Sequence, residues 1–449
     1  GRTESPGGPG EVGFESPPYP SQYDMRGAIM MHRWPGVLAM VPMLVLAMAL
    51  TTAACGNDDP TGPDPAPMPE PKPIVLGAAV AETGRLSTPG AEVSRGYRLA
   101  VELLNEQGGI GGRKVQLVIY DDGSDADASV RLYQEMIASD SITAFLGPYG
   151  SGITEPVISV TEPAGIPLVA SAAAAPEIWA NRGRQWSVQM SNPAPTYLEG
   201  SVELAAQAGA RTVALVWEDT AFPTAVAQGI RDAARTWELD LVMEQAYAAG
   251  SADHEALAAM ARDAGADLFI GGGYSEDAIA FARAVTAVEY RPLLTSLLLA
   301  SGASFIGDAG AAGRCVIGNA AWDPSIRTEG YITTNDTFIR RYEAAYNKMP
   351  DYQAASGFGA VELLAEGINR AATPTGEIDR ASIRDFLFAT SKQTVLGPFG
   401  VYPLGDAQAG AQRDLKGIQI QWQDDGAGGL VSRIVHPPEV SQASLCFGR

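Results

Sequence analysis

Short apolar runs alternate with helical stripes along most of this chain, and that alternation is the strongest constraint on its fold. Residues 74–80 (IVLGAAV) form a short apolar run of the kind that makes a buried strand. A loop over residues 81–90 leads into a stripe of Val93, Tyr97, Ala100, Val101 and Leu104. That three- and four-residue spacing is one face of a helix, and Gly108 and Gly109 stop it. The unit then recurs. Residues 114–120 predict a strand, and 121–125 (DDGSD) predict a turn that caps a helix striped with Val130, Tyr133, Met136 and Ile137. Strands follow at 142–146 and 166–170, with a helix from about Gly152 between them. A second block repeats the rhythm, with strands at 212–217, 239–243, 268–271 and 293–297 and helices at 222–237, 254–264 and 275–288. Repeated alternation predicts an α/β fold of parallel sheets covered by helices on both faces. Two blocks predict two α/β lobes.

The chain has 449 residues, too many for one compact domain. Its 31 Lys and Arg against 52 Asp and Glu give a formal net charge of −21. That balance argues against a nucleic-acid partner and against docking of the protein body on anionic lipid. It suits a soluble domain kept apart from its neighbours by self-repulsion. Three cysteines, Cys55, Cys315 and Cys446, make no disulfide-rich scaffold and no CxxC pair. Cys315 lies in an apolar run, so it is either simply buried or bonded to Cys446, which would tie down the C-terminal tail.

The N-terminal part reads as an export signal. Residues 36–54 carry no charge and follow Arg26, His32 and Arg33, the layout of a secretory signal. The signal ends Leu50-Thr-Thr-Ala-Ala-Cys55-Gly, which resembles a bacterial lipobox with Cys55 as the lipidated residue; Thr52 stands where such boxes usually carry Leu. A membrane span of about 20 apolar residues is the competing reading, weakened by Pro42 and by the Ala- and Thr-rich end. Residues 1–24, upstream of Met25, are Gly-, Pro- and Ser-rich and read as an over-called start. Residues 55–73 are rich in Asp and Pro and read as an extended tether.

In open parallel sheets ligands bind in the loops after the carboxyl ends of the strands. Those loops are 83–90, 147–153, 171–177, 217–223, 272–276 and 296–301. In the second of them Tyr149, Gly150 and Ser151 open a helix, where free N–H groups and the helix dipole favour an anion. The blander reading makes Ser151 only the helix cap. The third offers Ser171, Ala172 and Ala174, small residues that leave room for a ligand or simply pack tightly. Gly271-Gly-Gly-Tyr274 lacks the ending of a phosphate loop, and Tyr274 is better placed to cover a ligand. Trp217 and Phe222 occupy the analogous loop of the second block and serve equally as core or cleft residues. Catalysis finds little support. Tyr149 breaks the GxSxG pattern around Ser151, His254 reads as a surface residue, His436 lies near the end, and no His, Cys or Asp cluster has metal-ligand spacing. No enzyme activity, metal or cofactor is expected.

Five stretches then carry a resemblance. They are Gly96-Tyr97 with residues 105–113 (NEQGGIGGR), residues 120–125 (YDDGSD), 146–151 (LGPYGS), 164–168 (AGIPL), and Phe338, Tyr342 and Tyr346 with Pro350-Asp351. In this order and spacing, from about residue 74 to 436, the chain resembles the branched-chain amino acid (Leu/Ile/Val) type of periplasmic binding protein, the substrate-binding lipoprotein of ABC importers. The resemblance implies two Rossmann-like lobes joined by three crossovers, placed near 193, 323 and 396. Lobe 1 is then 74–193 with 324–395, lobe 2 is 194–323 with 396–436, and 437–449 is a tail. It also implies hinge closure on a small ligand, an ABC permease and ATPase as partners, and a membrane anchor through lipid; a sensing receptor of the same fold is the alternative. The ligand carboxylate is implied at Ser151 and neighbouring N–H groups, with Ala172 and Ala174 beside it and Tyr274 opposite. At Ala174 the family's Thr hydroxyl is missing, and the acid that would neutralise an α-ammonium falls near Leu298, where there is none. Either Glu218, Glu276 or Asp277 substitutes, or the ligand has no α-ammonium. The run Leu297-Leu298-Leu299 and the nearby aromatics favour an apolar or aromatic carboxylate, or an unusual amino acid.

Overall fold

A computed structural model describes residues 72–373 and 376–448. The signal, Cys55 and all but the end of the tether lie outside the described residues. No described helix is long and apolar enough to cross a membrane.

The first lobe opens with β1 (Ile74–Val80), α1 (Ser87–Glu106), β2 (Val115–Asp121), α2 (Ala126–Ala138), β3 (Ala144–Leu146), α3 (Ser151–Thr161), β4 (Leu168–Ala170) and β5 (Ser187–Gln189). Its five strands stand in the order β2-β1-β3-β4-β5, all parallel. Helices cover both faces, so the central strands read as apolar runs; β1 is buried throughout except at half-buried Val75, while edge strand β2 leaves Gln116, Tyr120 and Asp121 exposed.

The second lobe comprises α4 (Glu199–Gln207), β6 (Thr212–Glu218), α5 (Ala221–Thr236), β7 (Asp240–Tyr247), α6 (His254–Asp263), β8 (Leu268–Gly272), α7 (Ser275–Ala287), β9 (Leu294–Leu297), α8 (Ala303–Ala309) and β10 (Val316–Ala320). The chain then runs through α9 (Asn335–Tyr346), α10 (Tyr352–Ala371) and α11 (Arg380–Ala389), a hairpin of β11 (Ser391–Gln393) and β12 (Pro398–Gly400), and finally β13 (Ile418–Asp424) and β14 (Leu430–His436). The second sheet has seven strands in the order β14-β13-β10-β9-β8-β6-β7. Its core is parallel, while β13 and β14 join antiparallel. Strand β7 outruns its apolar stretch because it is an edge, where Glu244 and Gln245 stay exposed.

Helix α10 returns to the first lobe and lies against α1. Two glycines set that approach: a Cβ on Gly96 would stand 2.2 Å from the Ala354 carbonyl oxygen, and one on Gly357 would stand 2.4 Å from that of Val93. Asp351 caps α10 by accepting from the Ala354 N–H at 3.0 Å.

The last passage between the sheets lies further along than residue 396. The Asn181 N–H donates to the Ala407 carbonyl at 2.6 Å and the Gln189 N–H to that of Gly410 at 2.8 Å. Gln412 Nε2 donates to the Met190 carbonyl at 3.1 Å. Residues 401–412 thus satisfy the free edge of β5, and the chain reaches the second sheet only at Ile418. At the end of the chain, Cys315 and Cys446 are bonded, with Cα atoms 5.3 Å apart.

Candidate functional site

A narrow cavity lies where the strand ends of both lobes meet. It is a slot with about 440 Å³ of empty space. The first lobe contributes Tyr149, Gly150, Ser171, Ala172 and Ala174 from the loops after β3 and β4. The second contributes Tyr197, Phe222 and Tyr274. The rest of the wall comes from the segments between lobes, at Ser191, Ala321 and Leu396, and from the first turns of α10, at Tyr352, Gln353 and Ser356.

Local bonds explain why these residues converge. Tyr149 pairs with Ala172 as a short parallel bridge, and the Gly150 N–H donates to the Ala172 carbonyl at 3.0 Å. Gly150 precedes α3 with φ 94°, a left-handed conformation that glycine adopts without a steric penalty. Ser356 Oγ donates to the Ser171 carbonyl at 2.6 Å, which fastens α10 to the wall. Across the slot, Tyr197 and Phe222 meet edge to face at 5.2 Å, and Phe222 and Tyr274 lie 5.9 Å apart.

No Asp, Glu, Lys or Arg forms part of this wall. Burial raises the phenols of Tyr149 and Tyr352 well above their ordinary value and that of Tyr274 to about 12, so all three stay neutral at physiological pH. Glu218, at the end of β6, gives one oxygen to Arg85 Nη1 at 2.8 Å and the other to Thr220 Oγ1 at 2.8 Å. Asp277 accepts from the Tyr274 N–H at 3.0 Å and lies 3.0 Å from His254 Nε2. Burial alone would raise its pKa, but these hydrogen bonds outweigh burial and lower it. Glu276 faces solvent.

Residues 73–427 match the family of periplasmic binding proteins. The chain belongs to that family. Its members are binding proteins that work outside the cytoplasm. The Leu/Ile/Val-binding protein homolog 7 of Brucella abortus (strain 2308) is 26% identical over 370 residues, which cover 78% of this chain and 89% of that one. Among solved structures, the branched-chain amino acid transporter substrate binding protein LivJ of Streptococcus pneumoniae, in complex with isoleucine, superposes with a TM-score of 0.69 at 20% identity, covering 81% of this chain and all (100%) of that one. An ABC transporter solute binding protein of R. palustris, in complex with benzoate, gives 0.68 at 19% identity over 84% and 99%. These two likenesses speak to the fold.

Within this binding protein, seven of the nine residues expected at the ligand are on the cavity wall: Tyr149, Gly150, Ser171, Ala172, Ala174, Phe222 and Tyr274. Two are not. Ser151 is buried behind Gly150, and its Oγ accepts from the Ala175 N–H at 3.1 Å. Leu298 turns into the core of the second lobe, fully buried, with its N–H donating to the Gly271 carbonyl at 2.9 Å. Trp217 also stays off the wall and stacks under Arg231 at 4.7 Å. His254 is not the free surface residue it resembled, because it sits edge-on to Phe281 at 4.6 Å and pairs with Asp277. Sequence reasoning missed Ser191, Ala321 and Leu396 in the segments between lobes, and Tyr197, Tyr352, Gln353 and Ser356. The last three had a signal, since Pro350-Asp351 before a long apolar run marks a helix start.

Proposed function

We propose that this chain is the extracytoplasmic solute-binding protein of an ABC importer and that it captures a flat, apolar carboxylate without an α-ammonium. One observation carries the reading: the slot is walled by aromatic rings, small residues and hydroxyls with no ionised side chain, while Glu218 and Asp277 are already paired. A ligand ammonium there would be buried without a partner, at large cost. A carboxylate fares better, because α3 starts at the wall and a helix start with neighbouring hydroxyls and N–H groups accepts an anion. The benzoate-bound neighbour has the same fold, which makes such a ligand compatible with the scaffold. Hinge closure of the lobes traps the ligand for delivery to a permease, and lipidation at Cys55 with the tether at 55–73 would hold the domain near the membrane.

A thermal-shift panel tests this. A ligand at 100 times its dissociation constant adds about 2.7 kcal/mol to stability, a shift readily seen. Benzoate-like or aliphatic acids should raise the melting temperature while leucine leaves it unchanged. Strong stabilisation by leucine with no response to the acids would overturn the reading.

A further inference from the structure

The loop after β1 belongs to the first lobe, yet one of its side chains reaches the second. Arg85 Nη1 donates to Glu218 Oε2 at 2.8 Å, a pair 133 residues apart in sequence. The same guanidinium lies over the ring of Tyr274, 4.8 Å from its centroid, and that ring lines the slot. The Glu218 side chain is completely buried (0% exposed), while that of Arg85 is 36% exposed. Thr220 from the second lobe holds the other carboxylate oxygen.

The arrangement has a direct chemical meaning. An amino-acid ligand brings its own cation into a cleft, where a buried acid of one lobe can bind it. Here the acid exists, but the protein supplies the cation from the opposite lobe. The contact forms only when the lobes approach, so it stabilises the closed state; the buried carboxylate and the aromatic face both favour a planar guanidinium.

We propose that Arg85 is a latch that also sets specificity: it crosses the cleft to occupy Glu218, holds the lobes closed over the slot, and denies that acid to a ligand ammonium. The proposal rests on the carboxylate reading above and extends it to a named residue. Removing Arg85 leaves Glu218 without its cation, so closure weakens and an ammonium-bearing ligand gains a partner.

The test combines calorimetry and small-angle scattering on the wild type, Arg85→Ala, Glu218→Gln and the double variant, with benzoate and L-phenylalanine as probes. Wild type should bind benzoate and not phenylalanine. Arg85→Ala should weaken benzoate about tenfold and lower its preference over phenylalanine by more than that. Glu218→Gln in the Arg85→Ala background should abolish the gained phenylalanine binding. Without ligand, Arg85→Ala and Glu218→Gln should each show a larger radius of gyration than wild type, with unchanged circular dichroism. Wild type that prefers benzoate, with preference and radius unchanged in Arg85→Ala, overturns the latch and leaves the carboxylate reading standing. Wild type that prefers phenylalanine overturns both the carboxylate reading and the specificity role. If wild type binds neither probe, the carboxylate reading fails, and an unchanged radius in Arg85→Ala overturns the latch as well.

Discussion

Ser151 shows how one side chain serves the site without touching it. Its hydroxyl ties the start of α3 to the loop after β4 through the Ala175 N–H. Both groups are buried. Ser151→Ala therefore leaves a buried N–H unsatisfied and should cost about 1–3 kcal/mol of stability, measured by denaturant unfolding. A loss below a few tenths of that would mean the two loops are held by the Gly150–Ala172 contact alone. Benzoate affinity should fall as well, because the loop carrying Ser171, Ala172 and Ala174 loses its fastening. Gly150 makes the complementary case. Its φ of 94° is strained for any other residue, and an added Cβ would sit 3.3 Å from Leu86 Cδ1. Gly150→Ala should cost about 1–3 kcal/mol, read by the same unfolding curves. That a helix start lay at Ser151 was legible in the sequence. Whether its hydroxyl faced a ligand or a neighbouring loop was not, since a distance across 24 residues decides it.

At the scale of elements, long-range ties hold each lobe together. The disulfide closes a separation of 131 residues and pins the tail beside β13. Gln421 on that strand adds two bonds to Cys446, accepting from its N–H at 2.7 Å and donating to its carbonyl at 2.8 Å. Reduction, or Cys446→Ser, should lower stability by about 2–4 kcal/mol, read as a shift of the denaturation midpoint with and without reductant. A change too small to measure would assign the tail's attachment to hydrogen bonds, those of Gln421 and the one from Gln423 Nε2 to the Ser444 carbonyl at 2.8 Å among them. The α1–α10 contact is just as exacting. Gly96→Ala would drive a methyl group against the Ala354 carbonyl, which belongs to backbone and cannot swing away. A loss of about 1–3 kcal/mol is expected in the same assay.

At the scale of the molecule, the central parallel strands were legible because burial on both faces leaves a continuous apolar run at each. The path of residues 401–412 along β5 and the contribution of Ser356 to the cavity were not, because they join residues far apart in sequence; the return of α10 to the first lobe was expected only through the family resemblance, which put residues 324–395 there. The same burial sets how stability responds to pH. Burial pushes the Asp122 carboxyl up to about 6 and Glu362 up to about 7. Asp351 is also raised, first by burial and then by the charge of Glu92. An unfolded chain releases these protons near pH 4. Between about pH 4 and 7 the folded chain therefore holds more protons than the unfolded one, and these groups lose stability as pH rises through that window. Asp277, with its lowered pKa, acts oppositely and withdraws its contribution only as pH falls below about 4. The net charge of −21 adds self-repulsion that eases as acids protonate. Thermal stability should then peak at mildly acidic pH and decline by several degrees toward pH 8. Glu362→Gln tests the assignment: both its carboxylate oxygens accept buried N–H groups, from Ile332 at 3.0 Å and Val395 at 2.8 Å. The variant should be less stable at every pH yet show a shallower decline between about pH 4 and 7. A decline as steep as that of the wild type would exclude Glu362 as one of the groups that cause it.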